Sequence, residues 1–131
     1  MDATGNLYGT TAFGGNTDGL GTVFEVDQYG KERVLYRFKR EQNGVSPQTA
    51  VVRDAQGNLY GTTEEGGLIG AGVVYEITAD GKEKILHSFC SGDCLDGAYP
   101  NDLIMHAKGN LYGTAFGGGV NKNGTIFMIT P

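Results

Sequence analysis

The chain has 131 residues, a formal net charge of −5, and 23 glycines against three prolines. Its acidic balance repels a phosphate backbone, and the longest basic feature, Lys39-Arg40, is too small to form a patch, so nucleic acid is excluded as a partner. No apolar run approaches the roughly 18 residues of a membrane helix, and Met1-Asp2 opens the chain without the basic and hydrophobic regions of a signal peptide.

The string Gly-Asn-Leu-Tyr-Gly-Thr begins at Gly5, Gly57 and Gly109, a spacing of 52 residues. In the first unit it is followed by Gly14-Gly15, the apolar run Val23-Phe24-Glu25-Val26, the turn Gly30-Lys31-Glu32 and the run Val34-Leu35-Tyr36-Arg37-Phe38. The second unit opens with Pro47 and Ala50-Val51-Val52-Arg53-Asp54. It then repeats the order with Gly66-Gly67, Val74-Tyr75-Glu76-Ile77, Gly81-Lys82-Glu83 and Ile85-Leu86-His87-Ser88-Phe89. The third opens with Pro100 and Leu103-Ile104-Met105-His106 and ends with Gly117-Gly118 and Ile126-Phe127-Met128-Ile129.

A full unit therefore holds four strand candidates: A (about 49–54), B (58–63), C (72–78) and D (83–89). The runs are too short for helices and rich in Val, Ile, Tyr, Phe and Thr. Strand C alternates, with Val73, Tyr75 and Ile77 on one side and Val74 and Glu76 on the other. Asp54-Ala55-Gln56-Gly57-Asn58 is turn chemistry. Four strands in a period near 50 residues predict an all-β fold, a β-propeller segment of about three four-stranded blades. A β-solenoid is the alternative.

Met1-Asp2 aligns with Met105-His106, and Pro131 follows the third strand C. The expected organisation is a single repeat domain over 1–131, with units of about 1–48 (lacking strand A), 49–100 and 101–131 (lacking strand D). Such a segment leaves two faces open and edges unpaired. A homo-oligomeric ring, a filament or the remainder of a longer propeller is expected to complete it.

Gly-Asn-Leu-Tyr-Gly-Thr-Thr, the Gly-Gly pair, Gly21-Thr22-Val23-Phe24, the Leu-Tyr-x-Phe or Leu-His-Ser-Phe strand and Asp-Gly-x-x-Pro resemble the Gloeobacter/Verrucomicrobia-type (GloVer) tandem repeats of exported bacterial choice-of-anchor proteins. The segment Ser88-Phe89-Cys90, with Cys94 and Asp96-Gly97, is similar to a variant of that family. The resemblance implies a propeller-like repeat protein of the bacterial envelope or exterior, with no catalytic residues to carry over. More distantly, the Asp-x-x-Gly-Asn-Leu-Tyr turn is similar to that of streptogramin-lyase-like propellers, which makes a lyase or hydrolase a remote alternative.

An exported protein permits a local disulfide between Cys90 and Cys94, the only cysteines. Zinc held by His87, Cys90, Cys94 and His106 is the rival, although the spacing fits no standard finger; free thiols are the third reading. Asp54, in a slot shared by Asp2 and taken by His106, is expected to cap a turn. The loops 16–19 and 121–124 carry oxygen donors but too few carboxylates for calcium. Glu64-Glu65 is read as a solvated pair, not a glycosidase pair. The Gly-Gly stretches lack the helix and Lys-Ser or Lys-Thr of a phosphate loop. Tyr8, Tyr60 and Tyr112, with Phe13 and Phe116 nearby, are read as core between units or as aromatics offered to a ligand or another subunit. No cofactor and no metal is expected. The functional expectation is a non-enzymatic extracellular structural or interaction module that self-associates; a carbohydrate-binding module is the alternative.

Overall fold

The computed structural model describes residues 1–15, 17, 19–39 and 43–131. Among them every regular element is a strand. The first antiparallel sheet, in order, is β1 (Leu7–Thr11), β2 (Thr22–Val26) and β3 (Glu32–Arg37). The second is β4 (Val52–Arg53), β5 (Leu59–Thr63), β6 (Val73–Ile77) and β7 (Glu83–Ser88). The third is β8 (Ala98–Met105), β9 (Leu111–Gly117) and β10 (Thr125–Ile129). The all-β class follows the periodicity, with one sheet per repeat and none of the three closed.

Strand A differs from the expectation in both places where it occurs. In the second sheet it shrinks to the two residues of β4. In the third it runs eight residues, starting at Ala98. The cause is a shared pairing kept to different extents. Ala98 pairs with Gly117 and Pro100 with Ala115 before a bulge shifts the register ahead of Leu103. In the second sheet only the bridge from Val45 to Glu65 survives of that upper pairing. Pro100 has no N–H to donate, and an edge strand tolerates this.

The sheets stack face to face. All five residues of β6 are buried, because both faces of the second sheet are covered. Val73, Tyr75 and Ile77 join Leu59 and pack on Val23 and Phe38 of the first unit. Val74 and Tyr60 face the other way, onto Leu103, Leu111 and Ala115 of the third. Each large apolar side chain so buried contributes about 1.5–3 kcal/mol. Aromatic pairs bridge successive units edge-on: Phe38 with Tyr75 at 5.2 Å between ring centroids, and Phe89 with Phe127 at 4.9 Å.

Glycines make two recurring features possible. Gly9, Gly61 and Gly113 each lie under the ring of the facing strand, Phe24, Tyr75 and Phe127. A Cβ on Gly9 would stand 2.8 Å from Phe24 Cζ, which explains the glycine of the Leu-Tyr-Gly string. Gly21 has φ +103°, and a Cβ there would sit 2.7 Å from Pro47 Cδ. The residue before that proline, Ser46, has φ 56° and donates its N–H to Leu20 O at 3.2 Å. One unit later Tyr99, before Pro100, has φ 57° and donates to Ala71 O at 2.8 Å.

Candidate functional site: the repeated sheet faces

The strand registers define equivalent positions. Thr10, Thr62 and Thr114 oppose Val23, Val74 and Ile126, and Tyr8, Tyr60 and Tyr112 oppose Glu25, Glu76 and Met128. The face carrying these residues is covered by the second sheet in unit one and by the third sheet in unit two.

On both covered faces the tyrosine sits in a polar relay. The Tyr60 hydroxyl lies 3.0 Å from Asp54 Oδ2 and 3.4 Å from Glu76 Oε1, and Lys84 Nζ pairs with Glu76 at 3.1 Å. In unit one the Tyr8 hydroxyl lies 3.0 Å from Asp2 Oδ2 and 3.1 Å from Glu25 Oε1, with Arg33 on Glu25 at 2.6 Å. Burial, with the Asp54 acceptor beside it, pushes the Tyr60 phenol up to about 12. Burial and the bond to Asp2 raise Tyr8 in the same direction. At Asp54 burial acts upward, but bonds from the Asn58 N–H, the Asn58 amide and Tyr60 outweigh it and hold the carboxyl below its ordinary value. Both bases stand eight residues after their glutamate. That spacing was the available sign of a relay whose base the sequence reading did not single out.

In unit three the relay is replaced. His106 occupies the aspartate slot, its ring edge-on to Tyr112 at 6.4 Å, and Met128 stands where glutamate does. The turn itself is common to all three units: Asp2, Asp54 and His106 each donate their N–H to the carbonyl of Asn6, Asn58 and Asn110, at 2.9, 3.0 and 2.9 Å. The outward face of the third sheet consequently carries an apolar patch, with Asp102 and Thr114 beside it. Ile104 is 67%, Ile126 83% and Met128 56% exposed, around the half-buried Tyr112.

The structure does not gather the five aromatics into one ring. Tyr8 lies between the first and second sheets, Tyr60 is buried between the second and third, and Tyr112 is on the open face. Phe13 and Phe116 are both exposed at the ends of strands. They are not equivalent, because Thr11, Thr63 and Ala115 share a register position. Phe116 therefore corresponds to Ala12 and Glu64, one place before Phe13.

Cys90 and Cys94 lie at disulfide distance, with Cα atoms 3.8 Å apart. Their loop is anchored to the third unit, since Cys94 O accepts from Gly97 and Gly119. His87 is engaged by Asp96 at 2.9 Å and His106 by the Tyr112 ring. Among the described residues no group of three His, Cys, Asp or Glu is placed to hold a metal ion. Asn16 and Asp18 of the first loop lie outside the described residues. In the second loop Lys122 N–H donates to Gly119 O. Glu64 and Glu65 are both exposed beyond β5.

No helix among the described residues is long and apolar enough to cross a membrane. No curated protein matches the chain. The family model of the Gloeobacter/Verrucomicrobia repeat matches residues 1–131, and the chain belongs to that repeat family.

Proposed function

We propose that the chain is a non-enzymatic interaction module of the bacterial exterior, whose sheets are blades of a β-propeller and which stacks on further copies of itself. The observation that carries this reading is the equivalence of faces. The outer face of the third sheet keeps the register of the face of the second sheet that the third sheet covers, with Tyr112, Thr114 and Ile126 in place of Tyr60, Thr62 and Val74. Its complement is also present in the chain. Leu7, Phe24 and Val26 on the outer side of the first sheet correspond to Leu59, Tyr75 and Ile77, which pack inward in the second. A second copy offering its first sheet to the third sheet of its neighbour repeats the internal contact. Such a head-to-tail contact closes into a ring or continues as a filament. The cysteine pair at disulfide distance suits an oxidising compartment.

Light scattering and negative-stain imaging of the native chain test both parts. Particles of two or more chains with radial symmetry are expected. Ile126→Asp, at a position already exposed, is expected to leave circular dichroism unchanged and yield single chains. A wild-type protein that remains a folded monomer at high concentration removes the stacking, and particles elongated along a solenoid axis remove the propeller.

A further inference from the structure

A cleft of about 410 Å³ opens at the top of the contact between the second and third sheets, lined by Glu64, Tyr99, Asn101 and Phe116. Two of its walls are aromatic rings presented to solvent, Tyr99 at 46% and Phe116 at 78% exposure. The other two are a carboxylate and a side-chain amide, both exposed. Gln48 Nε2 donates to Glu64 Oε2 and holds that carboxylate in place, and Thr62 Oγ1 donates to the backbone carbonyl of Asn101, which fixes the main chain that carries the amide.

Neither ring is there for the fold. The backbone bond that Tyr99 makes to Ala71 is made one unit earlier by Ser46, with the same left-handed φ and no ring. The repeat thus fixes the positive φ but not the ring: a bulky side chain there is disfavoured, and the small Ser46 meets the same backbone need. Phe116 occupies a position that is alanine in unit one and glutamate in unit two. It stays accessible even when its sheet is covered, because Glu64 remains exposed although the third sheet covers its own face.

We infer that this cleft binds a neutral oligosaccharide. The pyranose ring has an apolar C–H face that stacks on an aromatic ring and an equatorial rim of hydroxyls that needs acceptors and donors. Tyr99 and Phe116 supply the first, Glu64 and Asn101 the second. A concave site with apolar walls and a few placed polar groups is the usual form of a small-ligand site. The Glu64 carboxylate and the net charge of −5 turn away acidic sugars. The site lies on a different part of the chain from the tyrosine series and needs no ring closure or self-stacking.

Isothermal titration of the full chain with cellohexaose, laminarihexaose, maltohexaose and chitohexaose tests the inference. Saturable binding of at least one, with Kd of about 0.1–1 mM, is expected from so shallow a site. Phe116→Ala and Tyr99→Ser each install the residue found at the equivalent position of another unit, so the fold is expected to survive. Each should weaken binding about tenfold, the worth of one aromatic contact. Tyr60→Phe should leave binding unchanged, and trigalacturonate should not bind. No heat with any of the four neutral sugars at about 10 mM, or binding that withstands both substitutions, overturns the site. Equal binding of trigalacturonate overturns the neutral class. Particle mass measured on the same samples separates this outcome from loss of stacking.

Discussion

Removing one oxygen atom from the centre of the molecule is expected to stabilise it. Tyr75 is fully buried between the first and second sheets, and among the described residues its hydroxyl has no hydrogen-bond partner. The nearby Glu83 is in the same position at Oε1, although its Oε2 accepts from Tyr36 at 2.8 Å and Asn43 at 2.6 Å. An unpaired buried hydroxyl costs about 1–3 kcal/mol, whereas its removal with the ring kept in place loses only a few dispersion contacts. The equivalent positions in the other two sheets are Phe24 and Phe127, so the repeat accepts phenylalanine over the glycine of strand B. Tyr75→Phe should therefore stabilise the chain by about 1–2 kcal/mol. In urea unfolding followed by circular dichroism the midpoint should rise with the slope unchanged, and the thermal midpoint should rise by about 3–8 °C. A variant less stable than the wild type would refute the reasoning. It would mean that the hydroxyl does have a partner, such as a buried water bridging it to Glu83.

Gly61→Ala places a methyl against the Tyr75 ring and should cost about 1–3 kcal/mol by overpacking, read in the same urea experiment; a neutral result would mean that the ring moves aside freely. Reducing the Cys90–Cys94 pair should change the intact mass by about two daltons and lower stability by about 2 kcal/mol, the chain-entropy value for so small a loop; an unchanged mass would show free thiols. Burial raises the Glu83 carboxyl above its ordinary 4.5, so the folded state binds its proton more readily than the unfolded chain, and stability should rise as pH falls through that raised value. Asp54 is shifted the other way from 3.8, and its contribution should be lost as pH falls further, through its lowered value. Thermal midpoints across pH should thus pass through a mildly acidic maximum, and Glu83→Gln should abolish the rise on its neutral side; a rise that persists in the variant would place the group elsewhere.

The period and the strand positions were legible because the repeat states them three times. Strands B, C and D came within a residue or two of β5, β6 and β7, since alternation in β6 and turn residues at Gly57 and Gly81 bound them tightly. Strand A was not legible at its upper end. Whether the residues before Pro47 and Pro100 count as strand depends on pairing across to Glu65 and Gly117, which no local pattern encodes. The aromatics were visible as a set, but their separation was not. Burial of Tyr60 depends on Leu111 and Leu103 arriving from the next sheet, whereas the one-residue displacement of Phe116 from Phe13 follows from counting on from Thr10 and Thr114 in the 52-residue repeat. Tyr99 passed unnoticed because nothing in its neighbours announces a positive φ; alignment of the two Pro-containing segments was the one available clue.

The third face differs from the first two in a way that physical chemistry makes coherent. A carboxylate buried between sheets is costly unless a base pairs with it. In units one and two that base, Arg33 or Lys84, is supplied by the strand beyond strand C, on β3 and β7. A glutamate at position 128 would need such a base before the face could be covered without stranding its charge. Met128 and His106 remove both carboxylates of the relay together, while Tyr112, Ile126 and Thr114 keep the shape of the face. The substitutions thus lower the desolvation cost of covering this face and preserve the geometry that the second sheet already uses, which is what the proposed stacking requires.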